Sequence, residues 1–175
     1  LLHKATTGEL TTAWRKDAPK STSTLDSVHG IREQLIEEKG TPKLKNPDKA
    51  EERDDLPSSW EIATVEEISY STRYGTSEKC DYDFDGVPVL RIPNIQDGDI
   101  TLDDLKFASS DADLSNIDPL EPGDFLLVRT NGSSDLIGRA AVVREVFDEP
   151  TYFASYLIRF RITPVDPLPR WVNFV

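Results

Sequence analysis

Residues 125–146 read FLLVRTNGSSDLIGRAAVVREV: two apolar runs flank a polar loop. FLLVR (125–129) and the stretch 140–146 are too short for stable helices, carry aliphatic and β-branched residues, and are expected to be strands. Asn131-Gly132 between them suits a turn. Working outward, VPVLRI (87–92) and YLIRFRI (156–162) have the same character and predict two more buried strands. EIATVEEI (61–68) has helix-like spacing, with room for a strand before it, and residues 111–116 offer a helical turn. Towards the N-terminus, Leu1 to Ala5 reads as the last turns of a helix stopped by Gly8, and residues 6–23, with Pro19, read as loop. A second helix starts at Thr24-Leu25-Asp26-Ser27, places Leu25, Val28, Ile31 and Leu35 on one face, and ends at Gly40-Thr41-Pro42. The charged stretch 43–55 reads as a linker. Near the other end, prolines at 164–169 followed by Arg170-Trp171-Val172 suggest a further helix start. The expected class is α+β, in two parts: 1–55, a helical segment and charged linker, and 56–175, a globular mixed domain with a twisted β-sheet core.

A core of this size is affordable for a segment of roughly 120 residues. No apolar run of about 18 residues is present, so no membrane-spanning helix is predicted. The single cysteine, Cys80, excludes an internal disulfide framework and fits a reducing, cytoplasmic setting. The 175 residues include no methionine, and the chain opens on Leu1-Leu2-His3 as if inside a helix. A piece of a longer protein is therefore expected. The net charge of −12 is the wrong sign for a typical nucleic-acid binder. Residues 1–50 hold nine Lys/Arg against seven Asp/Glu, and residues 51–175 hold eleven against twenty-five. Nine acids and one base fall between Asp97 and Asp124. Arg73, Arg91, Arg129 and Arg139 instead sit at loop edges, which predicts a polarised surface.

Motifs that carry chemistry are few. Asp81-x-Asp83-x-Asp85-Gly86 matches half a calcium loop, but the closing acid at position twelve is replaced by Ile92. A solvated acidic turn is the better reading. Arg129-Thr130-Asn131-Gly132-Ser133-Ser134 lacks the Gly-Lys-Ser/Thr ending of a nucleotide loop, yet Arg and Asn suit a phosphate or a base edge. The same residues would equally serve a plain strand turn. His3 and His29 lie outside the globular part, and with one cysteine they assemble no familiar zinc site. No nucleophile elbow is present. The aromatics Tyr74, Phe84, Tyr152, Phe153 and Tyr156 are either core or stacking groups. Tyr74 stands out because it borders a polar Gly-Thr-Ser loop.

The order of these pieces resembles one family. Leu56-Pro57-x-x-Trp60, then Tyr74-Gly75-Thr76-Ser77, VPVLRIPNIQDG (87–98), Pro122-Gly123-Asp124, Arg129-Thr130-Asn131-Gly132 and Leu136-Ile137-Gly138-Arg139-Ala140-Ala141 are similar to a target-recognition domain of a type I restriction–modification specificity subunit. Residues 2–11 resemble the end of that family's central conserved helix, with Thr6 where an aromatic is usual. YFASYL (152–157) resembles a strand near the domain's centre. The resemblance implies the second of two recognition domains, cut short at its C-terminal end, reading one half of a split double-stranded DNA target. It implies partners: methyltransferase subunits, which carry S-adenosylmethionine, and an endonuclease/translocase subunit. No cofactor is expected on this chain itself, nor catalysis.

On that basis Arg73, Lys79, Arg91 and Arg139 are candidates for phosphate contact. Tyr74, Thr76, Ser77, Arg129, Asn131 and Ser133 are candidates for base edges, with Asn94 and Thr130 beside them in the DNA-binding set. Two other readings stay open: a protein-interaction domain whose acidic face docks a basic partner without DNA readout, and an enzyme or calcium-binding module.

Overall fold

The computed structural model describes residues 2–17, 24–42, 49–51, 53–165 and 172. Its centre is an antiparallel sheet whose strands alternate sides as side-chain period two requires. β7 (Asp124–Val128) pairs with β8 (Ala140–Val142) and with β10 (Leu157–Ile162), and β10 pairs with β1 (Ser69–Tyr74), giving the order β1-β10-β7-β8. One face carries Phe125, Phe160 and Ile162, and it packs on Val28 and Ile68. Phe125 and Phe160 face each other in register, with ring centroids 6.3 Å apart. The opposite face carries Leu126, Val128, Ala141 and Leu157, which bury Leu90, Ile95 and Phe153 of the second layer.

That second layer is a smaller sheet in the order β2-β6-β3-β9. It comprises β2 (Cys80–Asp81), β3 (Pro88–Leu90), β6 (Lys106–Ala108) and β9 (Tyr152–Phe153). Its pairs are antiparallel apart from β3 with β9. Between them β4 (Ile95–Gln96) and β5 (Asp99–Ile100) form a hairpin about Asp97 and Gly98, both at positive φ, as a tight two-residue turn demands. Gly98 bridges Ala141 and ties the hairpin to β8.

The helices differ from the expectation in register more than in kind. α1 (Leu2–Thr6) stops at Gly8 as predicted, with φ 76°. Residues 6–17 are not loop: a short 3-10 turn at Glu9–Thr11 leads into α2 (Thr12–Asp17). Arg15 holds that bend by donating from Nη2 to the Gly8 carbonyl at 2.6 Å, and its guanidinium lies over Trp60. Pro19 lies outside the described residues. α3 (Thr24–Glu38) ends in a glycine-capped turn, with Thr41 N–H donating to Ile36 O and Gly40 N–H to Glu37 O. Its inward stripe is Leu25, Val28, Arg32 and Ile36, while Ile31 is 37% exposed. Arg32 was invisible to an apolar count, yet it joins the contact face by donating from Nε to Ser69 O. The helix thus folds back on β1.

Residues 61–68 form no helix. Thr64 and Glu67 exchange a reciprocal pair of backbone–side-chain hydrogen bonds, as at a helix start, but only one turn follows. Ser69 Oγ then donates to Val65 O and the chain extends into β1. The strand predicted at 87–92 is shorter, because Ile92–Asn94 coils into a 3-10 turn containing Pro93. The strand predicted at 140–146 ends at Val142, and 111–116 holds turns without a helix. Residues 166–171 of the proline-led stretch lie outside the described residues, as do 43–48 and 52 of the expected linker.

Beneath the inner face sits a buried charge cluster. Arg161 donates from Nε to Asp124 Oδ1 at 2.9 Å, and Arg159, fully buried, donates from Nη1 to Asp118 O. Burial pushes the Asp124 carboxyl up, with the Arg161 guanidinium opposing, and pushes Arg159 down. Ser71 and Arg73 lie opposite Arg161 and Arg159 on β1. The small Ser71 leaves room for the Arg161 guanidinium.

Candidate nucleic-acid interface

The connection from β7 to β8 projects from one end of the main sheet. Val128 closes it in both directions: its N–H donates to Arg139 O at 2.8 Å, and its carbonyl accepts Gly138 N–H at 2.9 Å. Arg129, Thr130, Ser133 and Arg139 are exposed on this loop and Asn131 is half-buried. A 3-10 turn at Ser134–Leu136 braces it. Arg129 N–H donates to the Tyr156 carbonyl, so the neck of the loop is fixed to the residue just before β10.

Tyr74 ends β1 at the same edge and is 57% exposed. The Arg129 guanidinium lies 4.7 Å from its ring centroid, a cation–π contact that reaches across the end of β10. Tyr156, which the sequence left between core and stacking roles, is 40% exposed, and its backbone carbonyl is the one that accepts the Arg129 N–H. The site therefore combines an exposed aromatic ring and an oriented guanidinium.

The adjoining loop is held from below. Thr76 N–H donates to Phe153 O and Ser155 N–H donates to Thr76 O, each at 2.8 Å. A Cβ on Gly75 would stand 2.1 Å from the Phe153 carbonyl oxygen, so only glycine permits this approach. The close contact at this glycine is thus with the protein's own backbone. Ser77 and Lys79 are exposed beyond it, with Lys79 Nζ above the Phe84 ring.

Three candidates are spent on the fold. Thr76 is 5% exposed, and its hydroxyl accepts Glu78 N–H. Asn94 is fully buried: Oδ1 accepts Arg91 N–H, and Nδ2 donates to the carbonyls of Thr101 and Asp103. Both side chains are buried and so turned away from a base. Arg91 donates to the backbone and carboxylate of Asp104, at 2.7 and 3.0 Å, so its charge is already neutralised. Tyr82 also donates its hydroxyl to Asp104, which holds that carboxyl low and the phenol up. Arg73 is half-buried on the inner face opposite Arg159, apart from the Tyr74 side.

Among the described residues, no carboxylate forms an ion pair with Arg73, Lys79, Arg129 or Arg139. Arg53, Arg91, Arg144, Arg159 and Arg161 are all paired. In a chain with twelve surplus negative charges, that distribution leaves the cations at one end of the sheet available. The acidic triplet Asp81, Asp83 and Asp85 joins no metal-holding group among the described residues. Gly86 has a local reason, since a Cβ there would lie 2.2 Å from Ala108 O. No described helix is long and apolar enough to cross a membrane.

No family model matches the chain. Over 108 residues, 62% of its length, it is 30% identical to the Type I restriction enzyme EcoKI specificity subunit of Escherichia coli (strain K12). That stretch spans 23% of the relative's own length. The order of motifs and this similarity together relate the chain to the specificity subunits of type I restriction enzymes.

Proposed function

We propose that this chain is a DNA-reading domain, the second recognition domain of a type I specificity subunit, which selects one half of a split duplex target. Methyltransferase subunits, binding S-adenosylmethionine, and an endonuclease/translocase subunit supply the chemistry on the assembled complex. The observation that carries this reading is the exposed Tyr74–Arg129 cation–π pair at the neck of the loop at 129–139, whose two arginines have no carboxylate partner among the described residues. Arg129 is pre-oriented: stacking on Tyr74 restricts its rotamers before any ligand arrives, and its planar donor fork suits a guanine edge. Asn131, Ser133 and Thr130 extend the donor and acceptor set along the loop. Arg139 and Lys79 supply phosphate contact, which positions the loop without reading sequence.

The test is a binding titration of the assembled complex on cognate and scrambled duplexes. Arg129→Ala should weaken cognate binding by about 1–3 kcal/mol while leaving scrambled DNA nearly unaffected. Equal loss on both duplexes would make Arg129 a phosphate anchor, and no loss on either would remove the loop from the interface.

A further inference from the structure

The two ends of the β7–β8 hairpin differ in chemistry. At the end away from the loop, Gly123 N–H donates to Val143 O and Val143 N–H to Asp124 O, after which the chain runs through 144–148 beside the β4–β5 hairpin. A groove of about 550 Å³ opens there. Ile100 and Phe147 line it and root it in the core, while Val146 is 80% exposed and Leu102 53%. Branched apolar side chains standing this far into solvent beside one groove are a recognisable interaction feature. The walls carry Asp99, Glu145 and Asp148 against a single cation, Arg144, which Asp99 already engages.

Duplex DNA is a poor occupant, because the uncompensated carboxylates repel phosphates. A purely apolar ligand would leave those carboxylates without counter-charge. A polypeptide with Lys or Arg alternating with aliphatic side chains satisfies both wall and floor. We propose that this groove docks a basic, amphipathic segment of a partner protein, at the opposite end of the hairpin from the DNA-reading loop. The proposal stands independently of DNA reading, since it uses none of those residues.

A short fluorescein-labelled peptide of alternating Lys and Leu, titrated into the full chain and followed by anisotropy, is the probe. Saturable binding is expected, weakened about fivefold or more by Glu145→Lys with Asp148→Lys, and likewise by Leu102→Ser with Val146→Ser. The pair Glu37→Lys with Glu38→Lys on α3 changes net charge equally and should leave affinity within about twofold, as should Arg129→Ala. All variants are exposed substitutions, and circular dichroism confirms their folding. Absence of saturable binding would overturn the proposal. So would equal weakening by both charge-reversal pairs, which signifies general attraction to an acidic protein, or indifference to the loss of Leu102 and Val146.

Discussion

Gly75 has no side chain because the Phe153 carbonyl oxygen occupies the place a Cβ would take, 2.1 Å away. That oxygen accepts the Thr76 N–H, so the contact cannot open without losing a backbone hydrogen bond. Gly75→Ala is expected to destabilise the protein by about 1–3 kcal/mol, the usual cost of forcing extra volume into a packed site. A thermal melt lowered by several degrees would show it; an unchanged melt would mean the loop yields freely and does not fix Tyr74. The sequence marked Tyr74, Gly75, Thr76 and Ser77 as one loop but could not divide their labour. Tyr74 faces solvent, Thr76 faces inward, and which does which depends on the parallel bridge between Thr76 and Ala154. Asn94 teaches the same lesson. An asparagine near an arginine reads as a base-contacting pair, yet its amide closes the turn between Arg91 and Asp103.

At the scale of elements, α3 shows how a charged residue can rotate a helix's contact face. Counting apolar residues alone favours Leu25, Val28, Ile31 and Leu35. The observed stripe runs Leu25, Val28, Arg32, Ile36, because Arg32 satisfies an Ser69 carbonyl at the edge of β1. Val28→Ala should therefore cost about 2 kcal/mol, from two lost methyl groups and the space they leave. Ile31→Ala, at a partly solvated position, should cost about 0.5 kcal/mol or less. Urea denaturation of both variants tests the rotation, and the reverse order of effects would refute it. The strands β7 and β10 were legible because each alternates apolar side chains towards two buried faces. β1 was not: SYSTRY holds no aliphatic residue, and its Ser71 and Arg73 lie opposite the guanidiniums of Arg161 and Arg159 instead of aliphatic groups.

For the whole molecule, the acidic composition and the proposed function are reconciled by geometry. Among the described residues Arg91, Arg144, Arg159 and Arg161 of the sheet domain are paired with carboxylates, and the cations presented beside the reading loop are few: Lys79, Arg129 and Arg139. A duplex held by these alone would displace few counterions. The isolated chain should bind DNA weakly, with log K against log salt concentration falling at a slope of about −2 to −4. Fluorescence anisotropy between low and moderate salt measures this, and a much steeper slope would place further basic residues on the DNA. On the proposed function, such weak binding would leave specificity to an assembled complex in which partner subunits also hold the duplex. The acidic groove at the far end of β7 and β8 offers one place where another polypeptide can hold on.

By itself the sequence determined the α+β class, strands built from short apolar runs, the loop at 129–139, and the resemblance to type I specificity subunits. These follow from local pattern and motif order, which a linear chain carries in full. Only the tertiary structure decided which loop residues remain available. Arg129 meets Tyr74 across an intervening strand, Arg91 is neutralised by Asp104, and Asn94 and Thr76 are buried. Burial and charge pairing depend on contacts between residues far apart in the chain, and residue type alone does not encode them.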